Sequence, residues 1–314
     1  MRYSLMRGST PLDPRREGGV AVYKAIQSES FAAWAFMAPG LLFLAIFTFW
    51  PIIYGIPLSL TDYSVITETH FVGLDNFTRA FQDHNFLISL WNSLVYVLVV
   101  PVIQIISILM AILVNSRIPG VKMFRAAYYI PVVTSMVAVA LIWSWLLGNN
   151  GVVNYLLLKV GILSEQVSWL STSSTALYVL MFITMWKGLG YYMMLYLAGL
   201  QGIPADLYEA ARVDGAGPLR LIIHVTLPLL RPHILFCTVI SVMGAVRVFD
   251  EVYILTKGGP GTSTLTSSVY IFQKGLEQFN FGYASALGLI VSVMVAALSV
   301  LVFRLNRRGG VNTY

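Results

Sequence analysis

Between Glu29 and Asp62 the chain runs 32 residues without a charged side chain. About 20 consecutive apolar residues suffice for a helix to cross the hydrocarbon of a bilayer, so this run fixes the solvent before it fixes the fold. Similar runs recur, and the reading places six spans at 32–53, 87–114, 128–147, 177–200, 229–248 and 284–303. Pro39, Pro51 and Pro57 interrupt the first and Pro101 bends the second. Membrane helices tolerate such breaks where neighbouring groups take up the freed carbonyls. Only 11% of the 314 residues are charged, against about 25% in soluble domains. Nothing between the spans is long enough to build a core of its own. The expected fold is all-α, a polytopic membrane protein in a single membrane domain.

The residual charge carries topology. On a six-span reading both termini lie on one side. The tail 1–30, the loop 115–127, the stretch 204–228 with Arg231, and the tail 304–314 hold 14 Lys and Arg, against 4 on the opposite side. Short loops rich in Lys and Arg stay in the cytoplasm, so both termini and the 204–228 stretch are expected there. Residues 31–303 then form the membrane domain between two cytoplasmic tails. The first apolar run is too long for a signal-peptide core, so no cleaved leader is expected. The cations are scattered singly, with no basic stripe interleaved with aromatics, which excludes a nucleic-acid partner.

Enzymatic chemistry is also excluded. No Gly-x-x-x-x-Gly-Lys-Ser/Thr loop is present, so the chain is not expected to bind ATP itself. His70, His84, His224 and His233 lack metal-ligand spacing, the one cysteine, Cys237, stands alone in an apolar run, and no catalytic constellation emerges. Neither paired intramembrane carboxylates nor an inverted repeat speaks for a secondary transporter.

The polar island 204–228 is the exception in this sequence. Pro204 suits the first turn of a helix, with Asp206 and Glu209 near its positive end. Leu207, Ala210 and Ala211 share one face, and Asp214-Gly215 is a terminator. A second helix starts at Pro218, with Leu219, Ile222, Ile223 and Thr226 as its stripe. The pattern is a helix–turn–helix whose stripes either pack on the membrane surface and neighbouring spans or dock a partner.

Two cations remain inside the membrane. Lys187 lies 16 residues above Ile203, and Arg247 lies 16 above Arg231, about 24 Å at helical rise. They share a level in the outer part of the bilayer, with Asp250 and Glu251 about one turn above. Either both snorkel to the outer headgroups, or Lys187, Arg247 and Asp250 line the outer end of a transport path in which Tyr191 stacks on a solute.

Glu209-Ala210-Ala211-x-x-Asp214-Gly215, then nine residues, then Val225-x-Leu227-Pro228, resembles the EAA loop of permease subunits of binding-protein-dependent ABC importers. Val225 stands where that family usually has Ile. Trp186-Lys-Gly188-Leu-Gly190-Tyr191, Leu200-Gln201-x-Ile203-Pro204, Thr256-x-Gly258-Gly259-Pro260 and Gly73-Leu-x-Asn76-Phe77 extend the similarity to the maltose-type and glycerol-phosphate permeases, over about residues 30–305. The resemblance implies a type I importer permease of a bacterial or archaeal cell membrane, which pairs with a second permease. It implies two ATP-binding subunits carrying the ATP and Mg, and an external solute-binding protein. The cargo it implies is a sugar or oligosaccharide, with glycerol-phosphate or another anionic polyol as the alternative. It further implies that 204–228 contains the coupling helix seated in the ATPase. Glu209 and Gly215 would matter most to that contact, with Ala210, Ala211, Asp214 and Leu219 around them. Gly188 and Tyr191 match positions at the sugar site of maltose-type permeases.

Overall fold

The computed structural model describes residues 29–65, 68–115 and 119–307. The described residues fall into two compact units, one up to Pro57 and one from Leu58 on. In the first, helix α1 (Phe31–Ser59, which runs on past Pro57) carries a π turn at Ala45–Phe49. There the Trp50 amide bonds back to Ala45 O. Pro51 has no N–H to bond the carbonyl four residues earlier, and the wider turn re-registers the ladder just ahead of it.

Apart from isolated bridges at Thr61–Phe71 and Ser64–Asn280, the regular elements among the described residues of the second unit are all helices, joined by turns and loops. In order these are α2 (Asp75–Gln82), α3 (His84–Val114), α4 (Val121–Val133), α5 (Met136–Leu146) and α6 (Val152–Lys159). Then come α7 (Ala176–Gln201), α8 (Ala205–Val213), α9 (Pro218–Leu229), α10 (Arg231–Val246), α11 (Asp250–Leu255), α12 (Ser267–Phe272) and α13 (Phe281–Arg307). Across the described residues four segments are long and apolar enough to cross a membrane: α1, α3, α10 with α11, and α13. The pair α4–α5 is a fifth if its 99° bend lies within one span. α7 spans 26 residues, about 39 Å, but Lys187 and four tyrosines make it more polar than those four segments.

The outer segments differ from the expectation of plain loops. Residues 62–86 contain α2, and 148–176 contain α6. Asp250 and Glu251, expected in a loop, open helix α11. The single third span is instead two helices. Pro131 removes one ladder bond, Thr134 Oγ1 donates to Ile130 O at 2.8 Å, and Thr134 and Ser135 take extended ψ values. Near Pro101 the ladder tightens to i→i−3 bonds at Val97 and Leu98, between two stretches of α3.

α7 is the axis of packing, lying against the second half of α3, against α4 and against α10, while α13 lies along α10. Tyr96, Leu180, Val246, Val252, Tyr283 and Leu287 fill one core, and Ala111, Met193, Tyr196, Leu230 and Cys237 a second. Gly190 lets α7 touch α4, since a Cβ there would sit 2.0 Å from Tyr128 O. Buried polar groups are paired across helices. Tyr196 OH donates to Gln104 Oε1, and Gln104 Nε2 donates to Cys237 O at 3.2 Å and to Ser241 Oγ. Satisfied networks of this kind specify one packing, because any alternative strands a polar group in apolar surroundings.

At one end of this unit Asp83 gathers several elements. It caps α3 through the amides of Asn85 and Phe86, and accepts from Tyr270 OH at 2.6 Å and Tyr283 OH at 2.8 Å. Burial pushes its pKa up, but the hydrogen bonds from Tyr270, Tyr283 and the Phe86 amide, with the Lys274 charge, hold it below the usual carboxylate range. Tyr270 is pushed up, first by burial and then by the bond to Asp83. Asn76 Nδ2 donates to Ser59 O at 2.9 Å and Thr61 O at 2.8 Å. Asn92 Nδ2 clamps Thr262 O and Leu265 O.

Candidate transport cavity and coupling surface

A cavity of about 400 Å³ opens where α3, α7 and the α10–α11 break converge. Its walls include all five residues singled out for the solute path: Lys187, Gly188, Tyr191, Arg247 and Asp250. The sequence placed Lys187 and Arg247 at equal height on separate helices; the fold turns them toward one space. α10 ends at Val246, the next residue Arg247 departs from helical geometry at φ −97° and ψ 16°, and α11 starts at Asp250. Beyond the break, Asp250 and Glu251 line the cavity together with Arg247. Lys187 is half-buried, Arg247 and Asp250 are exposed, and Tyr191 is 38% exposed. None of Lys187, Arg247 or Asp250 forms an ion pair within 4 Å with a described residue.

Sequence reasoning left out the other polar lining, Tyr96, Thr184, Tyr192, Ser241 and Glu251. Of these only Glu251 carried a signal, as an acid beside Asp250. Tyr96 and Thr184 sit in apolar runs that read as core. Gly188 is close to Ile103, whose Cδ1 lies 2.8 Å from where a Cβ would be. Gly244, also in the wall, has no atom within 4 Å of that position. The cavity combines aromatic faces, two cations and two carboxylates, a set suited to a polar solute bearing many hydroxyls.

The island forms the second candidate surface. α8 starts after Pro204 and ends at Asp214, whose amide donates to Ala210 O at 3.1 Å. Gly215 has φ +80°, and the Gly215 and Ala216 amides close the helix on Arg212 O and Ala211 O. Pro218 opens α9. Tyr208 OH and Thr226 Oγ1, 3.1 Å apart, tie the two helices together. Glu209, Ala210, Asp214, Gly215 and Leu219 are exposed, and Ala211 is half-buried. The second stripe divides: Thr226 is buried and Ile222 half-buried, whereas Leu219 is 69% and Ile223 48% exposed. The bond register shifts to a π turn at Ile222–Thr226, which rotates that stripe and sends its two ends to different faces.

Residues 103–309 match the family of the binding-protein-dependent transport system inner membrane component. Among curated relatives, the lactose transport system permease protein LacF of Rhizobium radiobacter is 36% identical over 86% of this chain and 92% of its own length. The probable ABC transporter permease protein YesP of Bacillus subtilis is 35% identical over 90% of this chain and 92% of its own. Among solved structures, a chain of a bacterial ABC transporter involved in import of the acidic polysaccharide alginate superposes with a TM-score of 0.79 at 26% identity, covering 93% of this chain and all of that one. A second structure of the alginate transporter, in complex with its alginate pentasaccharide-bound periplasmic protein, gives the same score over 91% of this chain. The match spans the cavity helices α7 and α10 and the whole island, and the chain belongs to the family of inner membrane permease components of binding-protein-dependent ABC transport systems.

Proposed function

We propose that this permease forms, with a second permease subunit, the membrane path of an ATP-driven importer for a sugar or oligosaccharide. In this reading six spans place both termini in the cytoplasm, with α7 and the bent pair α4–α5 counted as spans. An external binding protein delivers the solute, and two ATP-binding subunits hold the ATP and Mg. The island α8–α9 seats in one of them, with Glu209, Ala210, Ala211, Asp214, Gly215 and Leu219 at the contact. The observation that carries the proposal is the convergence of Lys187, Gly188, Tyr191, Arg247 and Asp250 on one cavity, while the helix pair 204–228 keeps an exposed face. The polysaccharide and oligosaccharide systems to which the relatives belong support the cargo class.

The two unpaired cations also favour a second reading, an anionic polyol such as glycerol-phosphate. The test is expression with its partner subunits, co-purification and uptake. The proposal requires an ATPase to co-purify and solute-loaded binding protein to stimulate hydrolysis. Alanine at Arg247 or Asp250 should impair uptake while the complex still assembles. Unchanged uptake in both would mean that these side chains merely snorkel, and a chain purified without an ATPase would sink the importer reading.

A further inference from the structure

Among the wall groups given no individual role in the solute path above are Tyr96, Thr184 and Glu251. Tyr96 ends the first stretch of α3, is 0% exposed, and its hydroxyl has no hydrogen-bond partner of normal geometry among the described residues, although Thr184 is nearby. Thr184 Oγ1 reaches both Leu180 O, at 3.0 Å, and Glu251 Oε1, so its single hydrogen serves one of them at a time. A carboxylate accepts up to about four hydrogen bonds. Besides its own backbone amide, Glu251 has among the described residues only the Thr184 hydroxyl as a donor. A buried hydroxyl without a partner and a carboxylate with spare acceptor sites therefore face the same space. Stranding such groups is costly unless something entering the cavity completes them.

The charges around that space add a constraint. Lys187 and Arg247 are matched by Asp250 and Glu251, so the four sum to zero when all are ionised, yet no ion pair closes within 4 Å among them. The opposite charges are held apart around a volume large enough for a small ring. A wall that offers both donors and acceptors suits hydroxyl groups, which both give and take hydrogen bonds.

We infer that Glu251 and Tyr96 are specificity-determining residues: Glu251 accepts hydrogen bonds from solute hydroxyls, Tyr96 OH bonds a neighbouring solute oxygen, and the balanced wall selects an uncharged polyol over an anionic one. Thr184 is a positioning residue that orients the Glu251 carboxylate. The inference rests on the reading of this cavity as the solute path.

The test uses the complete importer in cells, with four radiolabelled probes: lactose, arabinotriose, diacetylchitobiose and an alginate trisaccharide. Wild type is expected to take up at least one of the three neutral probes and to leave the anionic one. Tyr96→Phe and Glu251→Gln are each expected to lower neutral uptake at sub-saturating solute about tenfold, through KM rather than the maximal rate. Thr184→Val should lower it less. Assembly with the ATPase, followed by co-purification, guards against misfolding, and both principal substitutions are close to isosteric. Neutral uptake with KM unchanged in both principal variants would overturn this inference and leave the transport function standing. Preference for the alginate trisaccharide would overturn the charge selection. Uptake of none of the probes by an assembled complex would refute the sugar reading and this inference together.

Discussion

Gly215 offers the sharpest separation of local geometry from partner contact. Its φ of +80° closes α8, yet a Cβ at that position would meet no atom of this chain within 4 Å. Any cost of substitution within the chain is therefore conformational. An L-residue held in the left-handed region costs about 1–2 kcal/mol, which reduces the population of the native turn by a factor of about 5–30. Asn bears that conformation more cheaply because its short side chain bonds the local backbone. If the turn is what coupling needs, solute moved per ATP hydrolysed falls in the order Gly, Asn, Ala, even though Asn is larger than Ala. Bulky β-branched Val should uncouple hydrolysis from uptake or detach the ATPase, with the thermal unfolding of the spans unchanged. The assay is reconstituted uptake and ATP hydrolysis measured on one preparation of each variant. Ala coupling better than Asn would refute the conformational argument and assign the glycine to close seating in the partner.

Other substitutions test the packing. Gly190→Ala must move α7 off α4, because its Cβ would lie 2.0 Å from Tyr128 O; overpacking of about 1–3 kcal/mol should appear as a lowered Tm in detergent. Gln104→Leu strands Tyr196 OH, a buried loss of about 1–3 kcal/mol, and should destabilise the complex more than Ser292→Ala, whose hydroxyl is exposed and bonds only Gly288 O. The Asp83 brace should be pH-limited. Asp83 titrates below its ordinary value, so its stabilisation is fully present above about pH 4 and is lost as pH falls through the folded value. Tyr270 titrates above its ordinary value, so its share is present below about pH 10 and is lost as pH rises further. Asp83→Asn should flatten the acid limb in thermal unfolding followed from pH 3 to 7, and an unchanged limb would show that the brace carries little.

Apolar run length and the Lys/Arg distribution made the membrane class and most helix positions legible, since a bilayer leaves little freedom to a 32-residue uncharged stretch. The island was legible for a different reason: Pro204, Gly215 and Pro218 are each nearly forced by backbone geometry. What escaped lay where tertiary contacts override local pattern. The bend at Thr134–Ser135 depends on a hydroxyl bonding Ile130 O as well as on Pro131. α2 read as a loop because its stability comes from contacts far along the chain, where it lies on α13, and α6 because it depends on Asn154, which bonds Gly148 O, Asn149 O, Val167 O and the Trp169 indole. The cavity was half legible. Charged residues in apolar runs announce themselves, whereas Tyr96 and Thr184 sit in apolar runs and differ from core residues only in what their hydroxyls do or do not bond. Asn76, noted only as part of a motif, turns out to hold the Ser59 and Thr61 carbonyls.

The arrangement of helices gives the coupling proposal a mechanical basis. α7 carries Lys187 and runs down to Gln201, from which α8 follows after Pro204; α9 ends at Leu229, and α10 climbs from Arg231 to Arg247. The two helices bearing the cavity cations are thus the two that bracket the island. At its base they are pressed together, since a Cβ on Gly199 would lie 2.8 Å from the His233 ring and 2.9 Å from Leu230 Cδ2. Higher up, the Gln104–Ser241 bond ties α10 to α3, beside the same α7. From the island to either cation is a lever of about 24 Å, so a small tilt imposed at α8–α9 becomes a displacement of several ångströms around the cavity. The break at 247–249 lies at the far end of that lever, where α11 packs on α5 of the bent pair. Motion of α10 would therefore alter the distance between Arg247 and the Asp250–Glu251 pair. Widening the base with Gly199→Val should shift the resting cavity without touching a cavity residue. The expected outcome is altered accessibility of a cysteine placed at Gly244, in a variant whose Cys237 is replaced by Ser, with the ATPase still bound. Unaltered labelling at Gly244 would mean that the island and the cavity move independently.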